Sequence, residues 1–112
     1  MSRIATVAAA QMGPIEKDEP RQSTVARMIS MMRQAKERAA DLIVYPELAL
    51  TTFFPRYWID NQEDVDAYFE REMPGPATQP LFDEAAKLGV GFNLGYAELT
   101  EENGRTRHFN LS

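Results

Sequence analysis

The chain has 112 residues, of which 44% are hydrophobic and 26% charged, with a formal net charge of −5. That balance is the composition of a soluble globular domain long enough for one hydrophobic core, and its scattered mild acidity argues against nucleic acid or an anionic membrane surface as partner. Cysteine is absent, which excludes a disulfide framework, a thiolate metal site and a cysteine nucleophile within these residues.

Residues 3–11, "RIATVAAAQ", are short, apolar and stopped by Gly13-Pro14. They predict a buried strand rather than a signal peptide or a membrane span, for which the run is too short. Residues 14–22 carry Pro14 and Pro20 and predict a loop. A helix is expected from Ser23, capped by Ser23 or Thr24. Its inward stripe is Val25, Met28, Ile29, Met32, Ala35 and Ala39, with Arg27, Arg33, Lys36, Glu37 and Arg38 opposite. That is the spacing of an amphipathic helix on a sheet. "LIVYP" at 42–46 predicts a second buried strand, so strand, helix and strand imply a right-handed parallel crossover.

Asp60-Asn61-Gln62-Glu63 has the spacing of a capping box, followed by Val65, Tyr68 and Phe69 on one side. "MPGPATQP" breaks that helix. The next is expected from Thr78, with Pro80 in its first turn, Leu81, Phe82, Ala85 and Leu88 inward and Gly89 as its C-cap. "VGFNLGYAEL" at 90–99 predicts a strand bent by Gly91 and Gly95. Asn103-Gly104 signals a type I′ hairpin into a last strand, "RTRHFNLS". Phe109 and Leu111 share one face of that strand, and His108, Asn110 and Ser112 the other. The pattern stops without an element to cover its edge. The expected order is β-α-β-α-α-β-β, an α/β layer.

Most chemical candidates dissolve on inspection. Gly89, Gly91 and Gly95 have the wrong spacing and context for a dinucleotide-binding loop. His108, the single histidine, has no ligand cluster around it and reads as a solvated or hydrogen-bonded residue. No nucleophile elbow surrounds a serine. The methionines read as core fillers. Glu47 is different, because it follows an apolar strand at the end where open α/β sheets place their ligands. Two readings of it stand: a functional carboxylate, or an acidic residue opening a helical turn whose dipole favours it.

The residues around Glu47 carry a resemblance. "LIVYPELALTTFFPR" resembles the first catalytic segment of the nitrilase superfamily of carbon–nitrogen hydrolases, and its continuation is similar to that of N-carbamoyl-D-amino-acid hydrolases, the D-carbamoylases. "MPGPATQPLF", "LGVGFNLGYAEL" and "FNLS" resemble later segments of the same subfamily, collinearly from Ala5 to Ser112. The resemblance implies an α-β-β-α sandwich fold, of which residues 1–112 would be the N-terminal part, truncated on the C-terminal side. It implies a Glu-Lys-Cys mechanism with no metal or organic cofactor, in which Glu47 is the general base. Phe53, Phe54 and Asn110 are candidate pocket residues, with a core role open for the phenylalanines and a strand-edge hydrogen bond for Asn110.

The family's lysine and cysteine follow the "FN-x-S" strand, and Lys17, Lys36 and Lys87 match a loop and two helix faces instead. Residues 1–112 alone are therefore expected to be inactive. The substrate implied is an N-carbamoyl-D-amino acid, cleaved to the D-amino acid, ammonia and carbon dioxide. A cytoplasmic location and a homo-oligomeric full-length protein are expected, with neither nucleic acid nor membrane as partner. Two rivals are another nitrilase-type amidase or β-ureidopropionase, and a non-catalytic α/β module that binds small molecules or a partner chain.

Overall fold

The computed structural model describes residues 3–112; Met1 and Ser2, which the expected domain includes, lie outside the described residues. Three short strands form a parallel sheet in the order β1 (Val7–Ala9), β2 (Leu42–Val44) and β3 (Gly91–Asn93). Val7 pairs with Leu42, and Leu42 with Gly91. Both crossovers are helical. The first contains α1 (Arg21–Glu37); the second contains a 3₁₀ turn (Phe54–Arg56), α2 (Gln62–Asp66) and α3 (Gln79–Leu88). A separate antiparallel hairpin, β4 (Tyr96–Glu102) and β5 (Arg105–Leu111), completes the mixed α/β architecture.

The main core lies where α1 and α3 meet the sheet. Val25, Met28, Met32 and Ala35 from α1 pack with Ile43 of β2 and with Leu81 and Ala85 of α3. Burying side chains such as Met28, Met32 and Leu81 contributes about 1.5–3 kcal/mol each, and all three are fully buried. Arg33 Nε reaches Glu84 Oε1 at 2.9 Å across the two helices. A second cluster joins Leu48, Phe54 and Ala97 with the half-buried Ile59, Val65, Tyr68 and Phe69. Phe54 stacks on Tyr68 at 5.1 Å between ring centres.

Several boundaries differ from the sequence expectation. α1 starts at Arg21 after Pro20, whose carbonyl accepts from Ser23 and Thr24 N–H; neither Ser23 nor Thr24 is the cap. Thr24 is instead wholly buried and donates its hydroxyl to Glu19 Oε2 at 2.8 Å. Arg27 also holds Glu19, and donates to the Met12 and Pro14 carbonyls, so the preceding loop is tied onto the helix. Ala39 lies past the helix end at φ +61° and is exposed rather than inward.

The two early strands are shorter than 3–11 and 42–46. The reciprocal capping box does not form: Asn61 Oδ1 caps α2 by accepting from Glu63 N–H at 2.9 Å, while Asp60 takes the Trp58 indole N–H at 2.5 Å. The expected strand 90–99 divides at Leu94-Gly95, where the chain leaves one sheet for the other. Gly89, at φ +65°, ends α3 as expected, and the Val90 N–H bonds back to the Ala85 carbonyl. Asn103 (φ +51°) and Gly104 (φ +77°) form the two-residue hairpin turn, both in the left-handed region that a type I′ turn requires.

Candidate active site

Glu47 stands three residues beyond β2, the central strand of the parallel sheet, at its C-terminal end. The chain is anchored on both sides of it. Tyr45 N–H donates to the Asn93 carbonyl at 3.0 Å, and Ala49 N–H to the Gly95 carbonyl at 3.1 Å. The Tyr45 ring is buried, and its hydroxyl donates to the Met28 carbonyl of α1 at 2.7 Å. Burial pushes that phenol above its ordinary range, so it stays a neutral donor.

Residues 47–50 form a turn, and Leu48 within it adopts φ +51° although it is a buried leucine. A left-handed Leu cannot continue into an α-helix. The helix-opening reading of "PELAL" is therefore replaced by a strained turn that holds Glu47 outward. Such strain persists only where the surroundings over-determine it. Here one surrounding element is Gly95: a Cβ built on it would lie 3.1 Å from Glu47 Cα and 3.4 Å from Leu48 N. No side chain larger than hydrogen fits between the two segments without displacing one.

The Glu47 residue is exposed, so the apolar run before it ends at the surface rather than forcing a carboxylate into the core. Asn110 Nδ2 on β5 donates to Glu47 Oε1 at 2.5 Å. A shallow concavity of about 300 Å³ surrounds the pair, lined by Tyr45, Asn93, Gly95, Leu111 and Ser112, at the lower end of small-molecule sites. Asn110 occupies one carboxylate oxygen and leaves Oε2 free of a recorded side-chain partner among the described residues, in a position to accept a proton.

The remaining candidates lie outside the Glu47–Asn110 concavity. Phe53 is half exposed and lines a second hollow that Glu47 also borders, with Met12, Leu48 and Arg56. Phe54 is 8% exposed and belongs to the second core cluster, which is the core role left open for it. Lys17 lies 5.2 Å from the Tyr57 ring centre, and Lys36 and Lys87 occupy the last turns of α1 and α3; none lines the Glu47 concavity. Among the described residues no group of three or more His, Asp or Glu side chains could hold a metal ion, and no helix is long and apolar enough to cross a membrane.

Comparison with known proteins settles the family. The carbon-nitrogen hydrolase family model matches residues 6–111. The chain belongs to the carbon–nitrogen hydrolase family, within the nitrilase superfamily. It is also similar to a protein named Nitrilase 2 from an unknown prokaryotic organism, at 30% identity over 102 residues, which covers 84% of this chain and 31% of that protein. The chain thus spans about a third of the length of that curated relative. The matched region takes in Glu47, Gly95 and Asn110, and so includes the whole concavity except Ser112.

Sequence reasoning singled out Glu47 and Asn110 as candidates but not the contacts that hold Glu47 in place. The αL turn at Leu48 has no signature in a leucine. Gly95 was legible as a bend, yet its function as the surface against which Glu47 rests depends on a segment almost fifty residues away.

Proposed function

We propose that this chain supplies Glu47 as the general base of a carbon–nitrogen hydrolase that converts an N-carbamoyl-D-amino acid to the D-amino acid, ammonia and carbon dioxide. The observation that carries the proposal is the carboxylate itself: it stands at the mouth of the central parallel strand with one oxygen held by Asn110 and the other open. The "PELALTTFFPR" context supports the narrower substrate class.

In this reading Glu47 Oε2 takes the proton of a cysteine thiol, and the thiolate attacks the ureido carbonyl carbon. A lysine ammonium stabilises the oxyanion, and the carbon–nitrogen bond breaks as the leaving nitrogen receives the proton and departs as ammonia. Glu47 then takes a proton from water, which attacks the thiocarbamate carbonyl; the carbon–sulfur bond breaks and the sulfur takes the proton back as the thiol. The freed carbamate loses carbon dioxide. Asn110 keeps the carboxylate turned toward the reacting centre throughout, and loses no contact as the proton comes and goes. The cysteine and an active-site lysine are not among these 112 residues, so the isolated chain is expected to release no ammonia.

A second reading is favoured by the similarity to the protein named Nitrilase 2: the substrate is a nitrile, attacked by the same kind of nucleophile. Grafting residues 6–111 in place of the matching segment of a D-carbamoylase, which brings its own lysine and cysteine, separates the two. Ammonia release from N-carbamoyl-D-phenylalanine is the result the first reading expects. A folded graft that ignores that substrate but hydrolyses benzonitrile would favour the second.

A further inference from the structure

Asn110 can serve Glu47 only if β5 is held in place, yet every residue of β5 is exposed. Its pairing with β4 fixes the register, with Ala97 opposite Asn110 and Leu99 opposite His108. Side-chain alternation puts His108 and Asn110 on one face, the face of the buried Ala97 and Leu99. That face meets α2 and the aromatic cluster beneath it. Pairing alone leaves β5 free to move relative to β4, because among the described residues β5 is an edge with no second strand neighbour.

His108 supplies a second attachment. Its Nε2 lies 2.7 Å from Asp66 Oδ1 on α2, and its ring meets Phe69 edge-on at 4.8 Å and 81°. Gln62 Nε2 donates to the same Asp66 oxygen at 2.8 Å. Hydrogen bonds from Gln62 and then from His108 hold the Asp66 carboxyl below its ordinary value, so it is ionised near neutral pH and can only accept. An imidazole nitrogen that close to a carboxylate oxygen must carry the proton. His108 is therefore either protonated at Nε2 alone or doubly protonated, and in both forms it donates.

We propose that His108 is a positioning residue: by donating to Asp66 it pins β5 to α2 and so sets the reach of Asn110, two residues further along the same face, to Glu47 Oε1. The proposal rests on the reading of Glu47 as the base, and names the device that keeps its carboxylate turned. Asp66 and Gln62 complete that device without touching the reacting atoms. Glu70 stabilises the other edge of β4 independently, through its N–H to the Ala97 carbonyl (2.7 Å) and its carbonyl to the Leu99 N–H (2.8 Å). Loss of the histidine contact should therefore release β5 before it disturbs β4.

The test reads the side-chain amide signals of Asn110 in the ¹⁵N-labelled 112-residue chain, assigned by their disappearance in Asn110→Asp. Glu47→Gln should shift them, because a charged acceptor is replaced by a neutral one. His108→Ala should shift them in the same direction, and His108→Gln, whose amide nitrogen can stand where Nε2 stood, should return them toward their original position. In the same spectra the backbone amide of Thr100, opposite Arg107, reports whether the hairpin itself survives, and that of Leu99 whether β4 keeps its tie to Glu70. Asn110 signals unmoved by His108→Ala but moved by Glu47→Gln would overturn the positioning role. Signals indifferent to Glu47→Gln would overturn it at its base. Neither readout needs turnover, so an inactive graft alongside the expected shifts would count against the substrate reading alone.

Discussion

At the residue scale, the Glu47 turn balances strain against burial. Leu48 at φ +51° costs on the order of 1–2 kcal/mol relative to an unstrained residue, and glycine would relieve it. Leu48 is also 7% exposed within the second core cluster, and emptying such a site costs about 2–5 kcal/mol. Burial outweighs strain, so Leu48→Gly should lower the unfolding free energy in urea rather than raise it. Gly95→Ala sets a Cβ at 3.1 Å from backbone that cannot rotate away. It should cost about 1–3 kcal/mol and shift the Glu47 backbone amide in NMR, while a substitution at Gly75, whose Cβ would meet mainly the Glu72 side chain and carbonyl, should leave that amide alone.

Elements respond through their ends and ties. The hairpin turn needs two left-handed residues, and Gly104→Ala at φ +77° should destabilise β4–β5 by about 1 kcal/mol, visible as faster amide exchange in β5 and not in α1. The tie from α2 to β5 is pH-sensitive on the acid side. Asp66 titrates below its ordinary 3.8 because Gln62 and then His108 donate to it. A carboxyl depressed in the folded state contributes stability above its unfolded pKa, and that contribution is lost as pH falls through the folded value. Comparing thermal midpoints at about pH 6 and about pH 3 should therefore show a smaller acid loss in Asp66→Asn than in the parent chain.

Where an element's boundary is set by its own residues, it could be read in advance. Gly89 ends α3 and Asn103-Gly104 turns the hairpin because those positions need left-handed backbone, and the sequence places suitable residues there. The start of α1 was misread because Thr24 looks like a cap but is engaged by Glu19, itself held by Arg27. The break of residues 90–99 into two strands was only half legible. A glycine suggested a bend, but the cause is the Glu47 turn pressing against it.

The whole molecule exposes more surface than its length predicts. Its radius of gyration is 15.4 Å, where a compact domain of this size has about 13 Å. Its accessible area is 7575 Å², against about 6,200 Å² for a monomer of its mass. The excess includes the outward face of β5, where Phe109 and Leu111 are each 36% exposed, and the hollow bounded by Met73, Phe82, Phe92 and Tyr96. An apolar dye such as ANS should brighten on the folded chain without denaturant, and the double change Phe109→Lys with Leu111→Lys should dim it. A dye response absent from the parent chain would mean that this face is covered in solution.

The central claim is that Glu47 acts as a base, and turnover tests it most directly. In the D-carbamoylase graft carrying residues 6–111, the rate of ammonia release from N-carbamoyl-D-phenylalanine would be compared between the parent segment and Glu47→Gln. Glutamine keeps the shape and can still accept from Asn110 but takes no proton, so kcat should fall by about 10²–10⁴-fold with the folded structure unchanged. Equal rates from the two grafts would contradict the account.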